Sequence, residues 1–241
     1  MNFLNVKEAT IPAEFDRRAF LLRNPLFRAM PADAIDALCA MAHVRRLPDR
    51  ARLHDKGDRP DGLYAVIDGC IRATGSTPDG REALLALMEP GVWFGESSLL
   101  EDAPRAYCAD AQGDCTLLVI PRAQLFALLD ARPELYRCFV PLLCQRIRMS
   151  TQLLESNALL SLEGKLARRL VLLYQNALQG SGERPRRTLP VSQENLSQMI
   201  GTSRQSINKM LKEWEALGIV ERHYGSITVL DPAALERLAE T

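Results

Sequence analysis

Residues 191–214 read VSQENLSQMIGTSRQSINKMLKEW, the pattern of two short helices around a tight turn. Ser192 is a favourable N-cap, and Leu196, Met199 and Ile200 follow at helical spacing. Gly201 supplies a permissive backbone for the turn, Ser203 caps again, and Ile207, Met210, Leu211 and Trp214 repeat the apolar spacing. This is a helix-turn-helix pattern. At about 100° per residue, the second helix sets Gln205, Lys209 and Lys212 opposite its apolar stripe and leaves Arg204 and Asn208 at the margins. Such side chains read base edges and phosphates in a major groove. Taken alone, the same face also describes an ordinary solvated helix.

The surrounding chain favours the first reading. Its formal net charge is zero over 241 residues. Between Gly164 and Lys212, however, nine Lys and Arg residues stand against Glu183 and Glu194, a basic block that would attract phosphate. A composition 47% hydrophobic and 25% charged suits one large or two ordinary globular domains. The first residues lack a basic start and an apolar core, and no apolar run reaches membrane-spanning length, so a cytoplasmic protein without membrane contact is expected. Six cysteines (39, 70, 108, 115, 138 and 144) have no CxxC spacing. Buried free thiols are expected, with neither a metal nor an iron-sulfur cluster. No Ser/His/Asp or Cys/His set signals an enzyme.

After the helix pair, GIVERHYGSITVLD predicts two short strands turning near Tyr224 and Gly225, the wing of a winged helix, and Asp231-Pro232 caps a last helix. Before it lie an amphipathic helix over 162–177 and the loop QGSGERPRRTLP. Earlier still, Pro133 opens a helix of about 27 residues whose stripe is Leu135, Phe139, Leu142, Met149, Leu153 and Leu160, flanked by Leu143, Ile147, Ser150 and Leu154. Its length predicts a dimerisation helix between two lobes. From Ala51 to about Leu118 the pattern changes to short runs, LYAVI, CIRAT, EALLALM and CTLLVI, separated by glycines, with Pro78-Asp79-Gly80 as a hairpin turn. A compact β-roll follows. Residues 18–43 predict short helices interrupted by Pro25 and Pro31.

Within the β lobe, residues 91–107 read GVWFGESSLLEDAPRAY. Gly95 permits close backbone approach, Glu96 can accept from two hydroxyls, and the amides of a short helix start suit an anion. Arg105 can close on that anion with a charge-assisted fork. The residues describe a ribose-phosphate cradle. Without further information, Glu96 and Arg105 also fit a surface ion pair.

From about Phe20 to Leu230 the chain resembles the Crp/Fnr family of bacterial transcription regulators, and FGESSLLEDAPRA (94–106) resembles the phosphate-binding cassette of cyclic-nucleotide domains. Gly57, Gly69, Gly80, Gly91 and Gly95 fall where the family's β-roll glycines fall. The resemblance implies an α+β protein: an N-terminal cyclic-nucleotide-binding β-roll (18–132), a long dimerisation helix (133–160) and a C-terminal winged helix-turn-helix domain (161–241). It implies a homodimer on a palindromic double-stranded operator, with RNA polymerase as a further partner. Glu96 would take the ribose 2′-hydroxyl and Arg105 the cyclic phosphate, with backbone amides from the Gly95 and Ser97 regions. Ser150 and Thr151, in RMSTQLL, match the family's base-contacting hydroxyls in swapped order.

Ala106 stands where some members have a phosphate-holding hydroxyl, and Ser97-Ser98 are more polar than usual, so cyclic GMP and cyclic di-GMP stay open beside cyclic AMP. The alternative is a family member whose β-roll takes no nucleotide and which binds DNA constitutively or acts through protein contacts. TSRQSINK resembles the family's recognition-helix motif. It implies Arg204 on guanine, Gln205 where Glu is commonest, Lys209 in place of Arg, and Ser192, Gln193 and Ser203 on phosphates, with Thr202, Asn208 and Lys212 completing the surface. Haem is not expected, because His43 and His54 read as surface or strand-end residues.

Overall fold

The structure, a computed structural model, describes residues 15–76, 82–180 and 188–240. The chain forms two compact units, the first ending at Arg146 and the second running from Ile147 and including residues 82–84.

Three short helices open the first unit: α1 (Arg17–Leu22), α2 (Pro25–Arg28) and α3 (Ala32–Met41). The breaks expected at Pro25 and Pro31 are present and each opens a new short helix: Pro25 stands in the first turn of α2, where a missing N–H leaves no bond unmade, and Pro31 is the N-cap of α3. There follow β1 (His43–Leu47), β2 (Arg52–His54), β3 (Gly62–Ser76), β4 (Glu82–Met88), β5 (Trp93–Phe94), α4 (Glu96–Glu101), β6 (Cys108–Pro121) and α5 (Arg122–Ala131). The sheet runs β1-β6-β3-β4, with β2 on β6 and β5 on β3.

LYAVI and CIRAT belong to one strand, β3, and not to two. Gly69 between them (φ +83°) forms a register shift against β6, because a Cβ there would lie 2.4 Å from the Asp114 carbonyl oxygen. The pleat of β3 divides the interior: Leu63 and Ala65 join Phe27, Leu38, Trp93 and Leu118 beneath the helices, while Tyr64 and Val66 join Ile71, Phe94 and Leu117. The expected turn at Pro78-Asp79-Gly80 lies outside the described residues, as do Arg184, Arg186 and Arg187 of the basic block.

The long helix begins later than expected, with a 3₁₀ turn at Pro133–Leu135 before α6 (Tyr136–Leu159). Its apolar pattern also differs. Leu135 and Phe139 are buried in the first unit's core and Leu142 packs against it, while Met149 and Leu153 are half-buried. The bare stripe is Val140, Cys144, Ile147, Thr151 and Leu154, all exposed and spaced alternately four and three residues apart.

The second unit continues with α7 (Leu162–Gly180), β7 (Thr188–Leu189), α8 (Gln193–Ile200), α9 (Arg204–Ala216), β8 (Val220–His223), β9 (Ser226–Val229) and α10 (Pro232–Leu238). A small antiparallel sheet, β7-β9-β8, backs a core of Leu166, Leu170, Leu196, Ile207, Leu211, Trp214 and Ile227. Trp214 Nε1 donates to Glu163 Oε1 at 2.8 Å and so ties α9 to α7. The cysteines are free but not uniformly buried: Cys115 is buried, Cys144 is exposed and the others are intermediate. Among the described residues no helix is long and apolar enough to cross a membrane.

Candidate effector site and nucleic-acid interface

Strand β5 delivers the chain to Gly95, whose left-handed conformation (φ +90°) turns it into α4. A Cβ there would lie 2.6 Å from Arg105 Nη1, so only glycine lets the guanidinium reach the backbone. Arg105 is 2% exposed and Glu96 4%, so they are no surface ion pair, and each has its own partners. Arg105 Nη1 donates to Gly95 O at 3.0 Å and Ser98 Oγ at 3.3 Å, and Nη2 to Gly62 O at 2.8 Å and Asp61 Oδ1 at 3.0 Å. Its carbon Cζ stands 5.2 Å from the Tyr64 ring centroid. Its Nε is buried and has no acceptor among the described residues. Ser97 and Ala106 are exposed, at the first turn of α4 and just beyond the arginine.

Glu96 Oε1 accepts from Arg146 Nε at 2.9 Å, and Arg146 Nη2 donates to Trp93 O at 2.6 Å. An α6 cation thus holds the cassette's carboxylate. Burial would raise the Asp61 carboxyl, but hydrogen bonds from Tyr64 and Arg105 hold it below its usual range. His54, expected at the surface, is 6% exposed and lies against Tyr64 and Tyr107, with no partner for either ring nitrogen among the described residues. Burial and then the nearby Arg105 charge push its pKa down to about 4.

In the second unit, Ser192 Oγ caps α8 by accepting from Asn195 N at 3.0 Å, and Ser203 Oγ caps α9 by accepting from Ser206 N at 3.1 Å. Gly201 (φ +76°) makes the turn between them. Arg204, Gln205, Lys209 and Lys212 are exposed on α9, whereas Gln193, Thr202 and Asn208 are half-buried. Ile207, Leu211 and Trp214 anchor the opposite face. The result is a cationic, hydrogen-bonding helix surface on a rigid core.

Residues 44–132 match the cyclic nucleotide-binding domain family and residues 164–238 the Crp-like helix-turn-helix domain family. The cyclic AMP receptor protein of Thermus thermophilus is 30% identical over 216 residues, spanning 90% of this chain and 97% of that protein. The chain belongs to the Crp/Fnr family of transcription regulators. A CRP-like cAMP-activated global transcriptional regulator of Mycobacterium tuberculosis is 28% identical over 219 residues, 91% of this chain and 98% of its own. A solved CRP/FNR-family regulator from Thermus thermophilus superposes with a TM-score of 0.63 at 25% identity, covering 83% of this chain and 99% of that one.

Of the residues that the sequence assigns in this Crp/Fnr chain, Gly95, Glu96 and Arg105 gather in one buried cluster, and the α9 residues share one surface. Ser150 and Thr151 lie exposed on α6, one turn beyond Arg146. Sequence reasoning missed Arg146, Asp61, Tyr64 and His54. A cation breaking the apolar side of a long helix was a signal for Arg146; nothing local points from Asp61 to an arginine 44 positions away.

Proposed function

We propose that the protein is a homodimeric, sequence-specific DNA-binding regulator of transcription in the cytoplasm, its DNA affinity set by a cyclic nucleotide held in the β-roll. The observation that carries this reading is the buried Arg105 Nε–H, a cationic donor without an acceptor among the described residues, beside the carboxylate of Glu96. Leaving such a donor unpaired is costly, and a cyclic phosphate supplies the missing acceptor. Glu96 Oε1 is engaged by Arg146, and Oε2 accepts the ribose 2′-hydroxyl.

On α6, Thr151 lies in the bare stripe with Ile147 and Leu154, while Ser150 lies about 100° around the helix, toward the side of Arg146. We carry over from the family resemblance that Ser150 and Thr151 contact the base of the nucleotide, with Thr151 in the stripe through which a dimer pairs. Ligand and dimer then share residues. Cyclic AMP is the first candidate, since the relatives from T. thermophilus and M. tuberculosis are named for it; cyclic GMP and cyclic di-GMP follow. RNA polymerase is the further partner this reading implies.

A second reading, a regulator whose β-roll takes no nucleotide, is favoured by the four protein contacts that already engage Nη1 and Nη2 of Arg105. Calorimetry of the full chain with cyclic AMP, cyclic GMP and cyclic di-GMP separates the two. The proposal expects saturable binding of one of them at one site per chain and tighter operator binding in its presence. Silence toward all three, with DNA binding intact, supports the second reading.

A further inference from the structure

Arg222, in the wing strand β8, is bound to two residues of the recognition helix. Its backbone N–H donates to Glu215 Oε1 at 2.9 Å, its Nε and Nη2 donate to Glu215 Oε2 at 2.9 and 2.7 Å, and its Nη1 donates to Asn208 Oδ1 at 2.8 Å. The orientation of an asparagine amide is ordinarily a matter of assignment. Here chemistry fixes it. A guanidinium has only donors, so the atom of Asn208 that faces Arg222 must be the carbonyl oxygen. The other end of the amide, Nδ2 with two N–H groups, has no acceptor among the described residues, and Asn208 is half-buried one helical turn from the exposed Gln205 and Lys212.

Free asparagine recognises adenine with both ends at once, accepting from N6 and donating to N7. In Asn208 one of the oxygen's two lone pairs is taken by Arg222, and that bond holds the amide against turning freely to bring both ends to one base. We propose that Arg222 is a specificity-determining residue acting through Asn208: by holding the amide oxygen, the wing fixes the orientation of the amide and leaves Nδ2, a donor, as its free end. An amide so held selects base edges that present acceptors, guanine O6 and N7 or thymine O4, and disfavours the amino groups of adenine and cytosine. Arg222 touches no base itself; it is a positioning residue. Glu215 keeps the guanidinium in place by taking its remaining face, so the wing and the helix form one reading unit.

The inference rests on the DNA-binding reading above, and one experiment separates their failures. Sites are selected from random double-stranded DNA by the full-length wild type, by Asn208→Asp and by Arg222→Met, each with the nucleotide that calorimetry identifies and without nucleotide. Asn208→Asp still accepts from Arg222, so the fold is retained, but its outward atom becomes an acceptor. Its selected base should switch toward cytosine or adenine by about tenfold in relative preference. Arg222→Met frees the amide to rotate, and the same position should move toward adenine. Circular dichroism melting of both variants establishes that the helices are intact.

A wild type that selects a palindrome while both variants select the identical motif overturns the role of Arg222. Uniform loss of affinity for all sequences in Asn208→Asp places that side chain on phosphate and overturns it as well. A wild type that selects no sequence under either condition overturns the DNA-binding reading itself, and this inference with it.

Discussion

Arg105 holds its place by four protein contacts, yet its Nε is turned to none of them. Arg105→Lys keeps a cation but loses the planar fork, so nucleotide affinity should fall about ten- to a hundredfold, from a charge-assisted contact of about 1.5–3 kcal/mol. Titration calorimetry on a variant that still melts cooperatively checks this, and unchanged affinity would remove Arg105 from the site. His54 makes a second prediction, about acid. Its folded pKa of about 4 lies below the ordinary imidazole value of 6.5, so the folded protein favours the neutral ring. The contribution is complete above pH 6.5 and declines as the pH falls toward 4, because the unfolded chain takes the proton first. The loss can reach about 3 kcal/mol. His54→Phe retains a ring against Tyr64 and Tyr107 and should flatten that part of the urea-denaturation profile; a decline as steep as the wild type's would exonerate the histidine.

Among elements, α6 carries the sharpest expectation. Val140, Ile147 and Leu154 are 54, 66 and 71% exposed on one stripe, which a soluble chain would normally cover. Ile147→Asp and Leu154→Asp should convert a micromolar dimer into monomers in sedimentation velocity. Loss of assembly from Met149→Asp alone would instead favour the stripe expected from sequence. The burial of Leu135 and Phe139 in the first unit's core was not legible for a physical reason: periodicity identifies apolar faces but not which neighbour covers each. The helix pair at 192–214 was legible because caps, glycine turn and apolar spacing are all local signals. Strand β3 was only half legible, since a glycine that bulges against Asp114 and one that ends a strand look alike until the partner strand is known. Likewise, the cassette's glycine, glutamate and arginine lie within eleven residues of one another, whereas Asp61 and Arg146 reach it only through the fold.

For the molecule as a whole, a two-fold dimer with one recognition helix per subunit should select a palindrome whose half-site centres lie about one helical turn apart. Arg204→Ala should cost about 1–3 kcal/mol and relax one guanine, while Lys212→Ala should weaken all sequences alike and lower the salt dependence, both measurable by fluorescence anisotropy against operator and scrambled DNA. Gln205→Glu should move its base toward cytosine, since a carboxylate can only accept. If the nucleotide tightens DNA binding, DNA must tighten nucleotide binding by the same factor.

The chain holds two tryptophans, and they fall one to each unit: Trp93 under the cassette, offering its carbonyl to Arg146, and Trp214 inside the DNA-binding domain, bonded to Glu163. Both are almost wholly buried. Each is therefore an intrinsic fluorophore whose emission is set by a different half of the protein. Replacing either with phenylalanine leaves a single-colour reporter of the other, so the arrival of a signal in the sensor and its appearance in the reading head can be timed separately, without attaching any dye.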